Sequence, residues 1–398
     1  MPLKKVIMFI LSIKSALQRD LDRFFAKVKD SGFSIREVTK GGFSSARKKL
    51  NPWAFQRLNE VAVESFYREV EIYGWGGYRV MSIDGSRAVL PNHSSVKKEF
   101  GEHSFGPKAD SKRSLATFSM LYDVFNHVTV DAAIAPYATS EQTLLMGHLD
   151  KMSSGDLLLL DRGYPSFWLL FLLKARGIDF CVRLKEDWWL QVKKFTDSDL
   201  MEEEVVFTLP KKDCKKLADY PNFTDQTIRC RLVKVILDDG SKEILCTSLL
   251  DTEKYPREEF AELYHYRWGE EEAYKLLKCR AELENFSGKT AISVKQDFFA
   301  KIFLMSLCAI YAFPIEEKVR EEYRADEKRK FDQQINHTHA LSVTQDILIG
   351  VFLKHQFWQA IQAFDKLVEK TREIIRPRRS VPRNIKPRKP YSMNYKRL

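Results

Sequence analysis

Two aspartates and one glutamate stand where they could hold metal. Asp84 lies in YRVMSIDGS and Asp161 in DLLLLDRGY, each closing an apolar, strand-like run, and Glu271 sits inside YHYRWGEEEAYKLLK, from Tyr264 to Lys278. An acidic residue where a buried strand emerges combines rigid placement with solvent access, a recurrent way to present a metal ligand. Taken singly, each aspartate reads better as a turn former or cap. On a helix advancing about 100° per residue, Tyr264, Arg267, Glu271 and Lys278 fall within about 60° of arc. Leu263, Tyr266, Ala273, Tyr274, Leu276 and Leu277 then spread over the core side. Glu270, Glu272 and Lys275 read as solvated surface, where an ion pair such as Glu271 with Lys275 is worth only about 0.3–0.5 kcal/mol. Together the three carboxylates form a hard oxygen set suited to Mg²⁺ or Mn²⁺. Two such ions activate an attacking oxygen and stabilise a leaving one in phosphoryl transfer. Arg267 and Lys278, flanking the glutamate, suit contact with backbone phosphates.

The elements that must position these residues follow from the local patterns. Residues 1–70 read as helical, with a GGF break and Ser45 placed to cap a basic helix (Arg47, Lys48, Lys49). This is a helix-turn-helix or a plain bundle. From about Tyr78 strands begin: YRVMSID and SRAVLP flank an Asp84-Gly85 turn, and LATFSMLYDVF and HVTVDAAIA flank Asn126-His127. SEQTLLMGHLDKM reads as a capped helix, DLLLLD as a fully buried strand, PSFWLLFLLKARG as a helix begun by Pro165, and DFCVRLKE as a further strand. Hairpins followed by β-α-β indicate a mixed sheet with helices on its faces. Residues 186–252 form a β-rich insertion with an Asp239-Gly240 turn, and helices run from near Pro256 to about Ile375. The predicted division is a helical region (1–70), a first core part (71–185), the insertion (186–252), the core completion with the catalytic helix (253–315), a helical region (316–375) and a basic tail (376–398).

The 398 residues, 44% hydrophobic and 30% charged, describe a globular chain with a sizeable core rather than a disordered one. The net charge is +11, and from Lys370 onward eleven cations face only Glu373, about +10 in all. Such a tail is either a solvated terminus or a phosphate-neutralising arm. Six scattered cysteines without a C-x-x-C pair argue against a structural zinc site and fit a reducing cytosol. The apolar run Val6–Ile13 is short, interrupted by Lys14 and lacks a cleavage site, so it reads as a buried helix rather than a signal peptide. IFLMSLCAIYAF, ending at Pro314, reads as a core helix too short to span a bilayer.

The helix fits Y-x2-R-x3-E-x6-K without a gap at Tyr264, Arg267, Glu271 and Lys278. It resembles the Y-R-E-K motif of the IS-four family of bacterial insertion-sequence transposases, which have a DDE active site. DRGY at Asp161 and IDGS at Asp84 resemble that family's two other acidic motifs, in the same order and with the insertion in the same place. The resemblance covers roughly residues 40 to 315, and RKKLNPWAF and the final NYKRL share its character. It implies an RNase H-like α/β core, two Mg²⁺ (or Mn²⁺) ions on Asp84, Asp161 and Glu271, and cut-and-paste transposition through a hairpin intermediate and 3′-OH strand transfer. It implies that Tyr264, Arg267 and Lys278 grip DNA phosphate near the transferred end, with Arg162 beside Asp161. Trp188 or Trp189, from the insertion, are candidates to hold a flipped base, although tandem aromatics at a strand start are more often core. Arg47, Lys48, Lys49 and the tail would supply DNA affinity.

The implied partners are double-stranded DNA, namely the element's terminal inverted repeats and its target, and a second copy of the chain on that DNA. The stretch from Val294 and the helix from Gly350 to Ile375 are dimer surfaces or core. The implied setting is the bacterial cytoplasm and its nucleoid, with no membrane association. Two rival readings stand beside this one: a metal-dependent nuclease without strand transfer, and a silent DNA-binding protein of transposase ancestry. The intact carboxylate triad argues against the second.

Overall fold

The computed structural model describes residues 1–14, 16–104, 112–217, 226–237 and 240–375. The basic tail at 376–398 and Asp239 of the expected Asp239-Gly240 turn lie outside the described residues. The strands are β1 (Arg79–Val89), β2 (His103–Ser104), β3 (Lys112–Arg113), β4 (Leu115–Asp123), β5 (Thr129–Pro136), β6 (Asp156–Leu160), β7 (Asp179–Leu184), β8 (Glu202–Thr208), β9 (Thr227–Ile236), β10 (Lys242–Thr247), β11 (Gln333–Ile335) and β12 (Arg372–Ile374). The α-helices are α1 (Leu3–Ser12), α2 (Leu17–Val28), α3 (Lys40–Arg47), α4 (Trp53–Glu69), α5 (Ser94–Phe100), α6 (Glu141–His148), α7 (Phe167–Ala175), α8 (Leu190–Asp197), α9 (Lys211–Leu217), α10 (Phe260–His265), α11 (Trp268–Lys275), α12 (Ala291–Glu322), α13 (His337–Leu353) and α14 (Phe357–Lys370).

Eight strands form one sheet in the order β5-β4-β1-β6-β7-β10-β9-β8. β5, β4 and β1 pair antiparallel, whereas β1, β6 and β7 run parallel through crossovers carrying α6 and α7. Three meandering strands followed by two parallel ones on the other side of the first is the RNase H-like arrangement, so the expected α/β core is present. DLLLL is buried along its whole length because helices cover both faces of β6. Met81, Ile83, Leu158 and Leu160 pack with Leu145 of α6 and Leu169–Leu173 of α7, while Val80, Leu157, Leu159 and Phe118 pack toward α10–α12. Each such buried side chain contributes about 1.5–3 kcal/mol.

Asp84-Gly85 is not a turn. β1 runs unbroken through it and pairs with β4 from Met81↔Asp123 to Val89↔Leu115. The β-rich insertion joins the central sheet, because β10 pairs with β7 and β8–β10 extend it. The hairpin at Asn126-His127, the Ser140-capped helix and the buried N-terminal helix are all as expected. Helix α3 spans the glycine pair and is capped by Thr39, whose hydroxyl accepts from the Gly42 amide, rather than by Ser45. Helix α12 continues through Pro314 to Glu322. It is long and apolar enough to cross a membrane, yet 72% of its most apolar window is buried inside the fold.

Candidate active site

An ion pair between half-buried Arg79 and buried Asp156 sets the alignment on which the two aspartates depend. Arg79 at the start of β1 donates twice to Asp156 at the start of β6, at 2.7 and 2.8 Å, and the same two residues are partners in the parallel register. The register runs on to Ser82↔Leu159 and then the pairing ends. Carried two residues further, it sets Asp84 beside Asp161 where the strands part. Ligands bind at the carboxyl ends of strands in such sheets. Both aspartates lie on the face shared by Val80, Leu157 and Leu159, toward α11.

With its parallel partner gone, the Asp84 amide has no ladder acceptor. Glu270 takes it at 2.8 Å through one carboxylate oxygen and holds the Ser82 hydroxyl at 2.5 Å through the other. Glu270 is fully buried, so the expectation that it is solvated helix surface is corrected. The cause is local: the chain turns at Tyr266–Arg267 between α10 and α11, then leaves α11 through a π-helical turn at Leu276–Arg280, so the stretch is not one straight helix. Burial, and then the nearby Asp84 charge, push the Glu270 pKa well up, which favours a neutral acid. Tyr274, one turn further along α11, donates to the Asp84 carbonyl at 2.6 Å.

Burial lifts Asp84 to about 6, with Glu141 and Asp161 adding like-charge repulsion and Arg267 opposing it. Glu141, at the start of α6, was no candidate in the sequence. A Cβ on Gly85 would come within 2.6–2.7 Å of its side chain, so glycine is what lets that carboxylate approach the strand. Arg267 is the common neighbour of the acids. Its Nη2 donates to Glu271 at 3.1 Å, and although burial opposes it, Tyr264, Glu271 and Asp161 raise its pKa. Glu271 keeps 34% of its side chain exposed while Arg267 is buried. Lys278 lies over the Phe118 ring at 5.4 Å, and burial lowers its pKa against the pull of Glu284 and Asp84.

Asp161 Oδ1, Arg267 Nε and the Tyr164 hydroxyl are buried without a hydrogen-bond partner. An anionic oxygen left bare next to a second carboxylate suits a hard divalent cation. The two strand-end aspartates are oxygen donors of the kind such a cation takes.

Other expected site residues are placed differently. Tyr264 is buried, and its hydroxyl donates to the Leu160 carbonyl at 3.4 Å, bracing the strand end before Asp161 rather than facing DNA. Arg47 is also buried, held by Asp297 at 3.0 Å, Gln296 at 2.8 Å and Ser287 at 2.7 Å, and so pins α3 to α12. Its charge was legible in the sequence; the acidic partner 250 residues away was not. Lys48 and Lys49 remain exposed and line a groove of about 580 Å³ with Trp53, Ile292 and Lys295. Arg162 is exposed. Trp189 stacks on Phe167 at 4.1 Å and meets Phe207 edge-on, whereas Trp188 is 39% exposed. Ser119, His148 and Asp131 line up as a hydroxyl–imidazole–carboxylate chain (3.1 and 2.7 Å), but Ser119 and His148 are fully buried, so the chain ties α6 to the sheet.

A mixed sheet of this topology with carboxylates at the split between its parallel strands defines the class of RNase H-like proteins. Residues 75–308, more than half of the chain, match the transposase DDE domain family, and the chain belongs to that family. Over 178 residues, 44% of the chain, it is 25% identical to the putative transposase InsZ of Escherichia coli strain K12, and it spans 56% of that relative's length. Among solved structures it overlaps a piggyBac transposase synaptic complex with hairpin DNA at 10% identity and a TM-score of 0.44, covering 92% of this chain and 74% of that one. That overlap is too loose to bear on the site.

Proposed function

We propose that the chain is an active DNA transposase of the Y-R-E-K subgroup of IS-four elements, cutting an insertion sequence at its ends and joining the freed 3′-OH ends to target DNA. The observation that carries the reading is the bare Asp161 carboxylate oxygen beside Asp84 at the split of β1 and β6, with Arg267 joining both to Glu271. Asp84, Asp161 and Glu271 would hold two divalent ions, Mg²⁺ or Mn²⁺, which when bound activate the attacking oxygen and stabilise the leaving one. Glu271 is favoured over Glu270 as third ligand. Both Glu270 oxygens are committed to Ser82 and Asp84, whereas Glu271 is half-buried and tied only through Arg267.

The chain's own residues prepare the site. Glu270 and Tyr274 hold the Asp84 backbone amide and carbonyl, and Tyr264 braces the end of β6. Arg267 keeps a donor free for an incoming phosphate, and Lys278 adds a half-buried cation. Exposed Arg162, Lys48 and Lys49 would track the DNA backbone, and Trp188 is better placed than Trp189 to stack on a base. Cleavage through a hairpin intermediate, pairing of two copies on the element ends, and action in the bacterial cytoplasm at the nucleoid complete the proposal. The test is nicking and strand transfer on DNA carrying the inverted repeats that flank the gene. Nicking followed by hairpin formation and joining supports the proposal, whereas nicking without joining identifies a nuclease.

A further inference from the structure

The β4–β5 hairpin carries a histidine on an unusually rigid turn. The Asp123 carboxylate accepts from the Phe125 and Asn126 amides at 3.1 and 3.0 Å and from Tyr67 at 2.9 Å, and the Asn126 side chain is itself buried and bonded. His127 follows in the left-handed region, φ 57°. Few non-glycine residues adopt that conformation, and asparagine, aspartate and histidine are enriched among those that do. Facing it are Glu316 of α12 and His337, the first residue of α13. His127 Nε2 and His337 Nε2 each stand 3.7 Å from Glu316 Oε1, and the donor atoms of all three lie within 4.8 Å of one another.

This is more than a salt-bridge cluster. Glu316 is 7% exposed, and its charge is met by Arg320 through a single nitrogen at 3.2 Å. An imidazole in its neutral form is a lone-pair donor rather than a counter-charge. Tyr122 lies 3.2 Å from His127 Nδ1. With Nδ1–H donating to that phenol oxygen, the Nε2 lone pair is directed at Glu316, the outer-shell pattern of metal-binding histidines. Tetrahedral bonds of about 2.0–2.1 Å set donors about 3.3 Å apart, so the observed 3.7 Å needs only a small contraction. Both histidines are half-buried, which leaves one side open to solvent for a fourth ligand.

We propose that His127, Glu316 and His337 form a second metal site, for a late first-row divalent ion of the Zn²⁺ type, which clips the β4–β5 turn to α12 and α13. Two imidazoles and one carboxylate match zinc better than magnesium. The missing C-x-x-C pair excludes only the thiolate kind of zinc site. The Asp84, Asp161 and Glu271 set, all oxygen, would keep its preference for Mg²⁺.

The test is calorimetric titration of Zn²⁺ into the metal-stripped full chain with Mg²⁺ in excess, together with zinc-edge X-ray absorption of the loaded protein. The expected result is one Zn²⁺ per chain with two imidazole ligands, retained in an Asp84→Asn, Asp161→Asn background. His127→Asn, which tolerates the left-handed backbone, and His337→Gln should each weaken binding by about 100-fold or more. Absence of stoichiometric binding, binding unchanged in both histidine variants, or a spectrum without two imidazoles would overturn the site. The absorption measurement needs only the parent chain, so a variant that fails to fold leaves the test intact.

Discussion

Glu270 and Glu271 are neighbours on α11 and meet different surroundings. The first is sealed against Ser82 and Asp84, and the second reaches Arg267 at the surface. Glu271→Gln should cost about 10³-fold in DNA cleavage, the scale of losing several kcal/mol of charge stabilisation, and leave the fold intact. Glu270→Gln should retain cleavage. Because the folded pKa of Glu270 is raised, its stability contribution is full below the unfolded carboxylate range and is lost as pH rises through the folded value. Glu270→Gln should therefore be more stable than the parent at pH 7–8, and the gain should fade toward pH 4.5, as thermal melts across pH would show. Asp84 follows the same sign with a folded value of about 6, so metal-free Asp84→Asn should gain up to about 3 kcal/mol well above pH 6 and none below about pH 4. An Asp84→Asn melt that matches the parent at every pH would contradict the crowding of acids described for the site.

At the level of elements, two ion pairs hold the frame. Arg79 with Asp156 fixes the β1–β6 register, and Arg47 with Asp297 docks α3 on α12. Breaking either with one substitution leaves a charge buried, so Arg47→Ala and Asp156→Ala should each cost about 3–5 kcal/mol in denaturant unfolding. A surface DNA contact at Arg47 would instead leave stability unchanged and lower only affinity. In the insertion, Trp189→Ala should destabilise the β8 region, whereas Trp188→Ala should leave folding intact and weaken hairpin-stage chemistry; equal effects on stability would contradict the assigned roles. The motif residues and the order of strands were legible because apolar runs and a gapless Y-R-E-K spacing are local patterns. The Asp84-Gly85 turn was misread because a D-G pair carries the same local signal in a turn and in a strand that needs room for Glu141. Glu141, Glu270 and the partners of Arg47 were invisible for a related reason, since a carboxylate's burial depends on what folds over it from far along the chain.

At the scale of the whole molecule, the proposed function sets acidic chemistry against a polyanion, and the sequence carries a strongly basic C-terminal segment. The nine cations from Arg376 onward should steepen the salt dependence of DNA binding. Removing residues 376–398 should reduce the slope of log K against log salt by about 0.9 for each phosphate that the tail had neutralised. A slope unchanged by that truncation would place DNA affinity elsewhere on the chain. Everything at this scale rests on whether Asp84, Asp161 and Glu271 act as one centre. The most direct measurement is cleavage and joining of inverted-repeat DNA in Mg²⁺ by the full chain and by Asp84→Asn, Asp161→Asn, Glu271→Gln and Glu270→Gln. The account predicts that the first three variants bind DNA but nick and join it about 10³-fold or more slowly than the parent, with Glu270→Gln still active. Nicking at close to the parent's rate in Asp84→Asn or Glu271→Gln would contradict it.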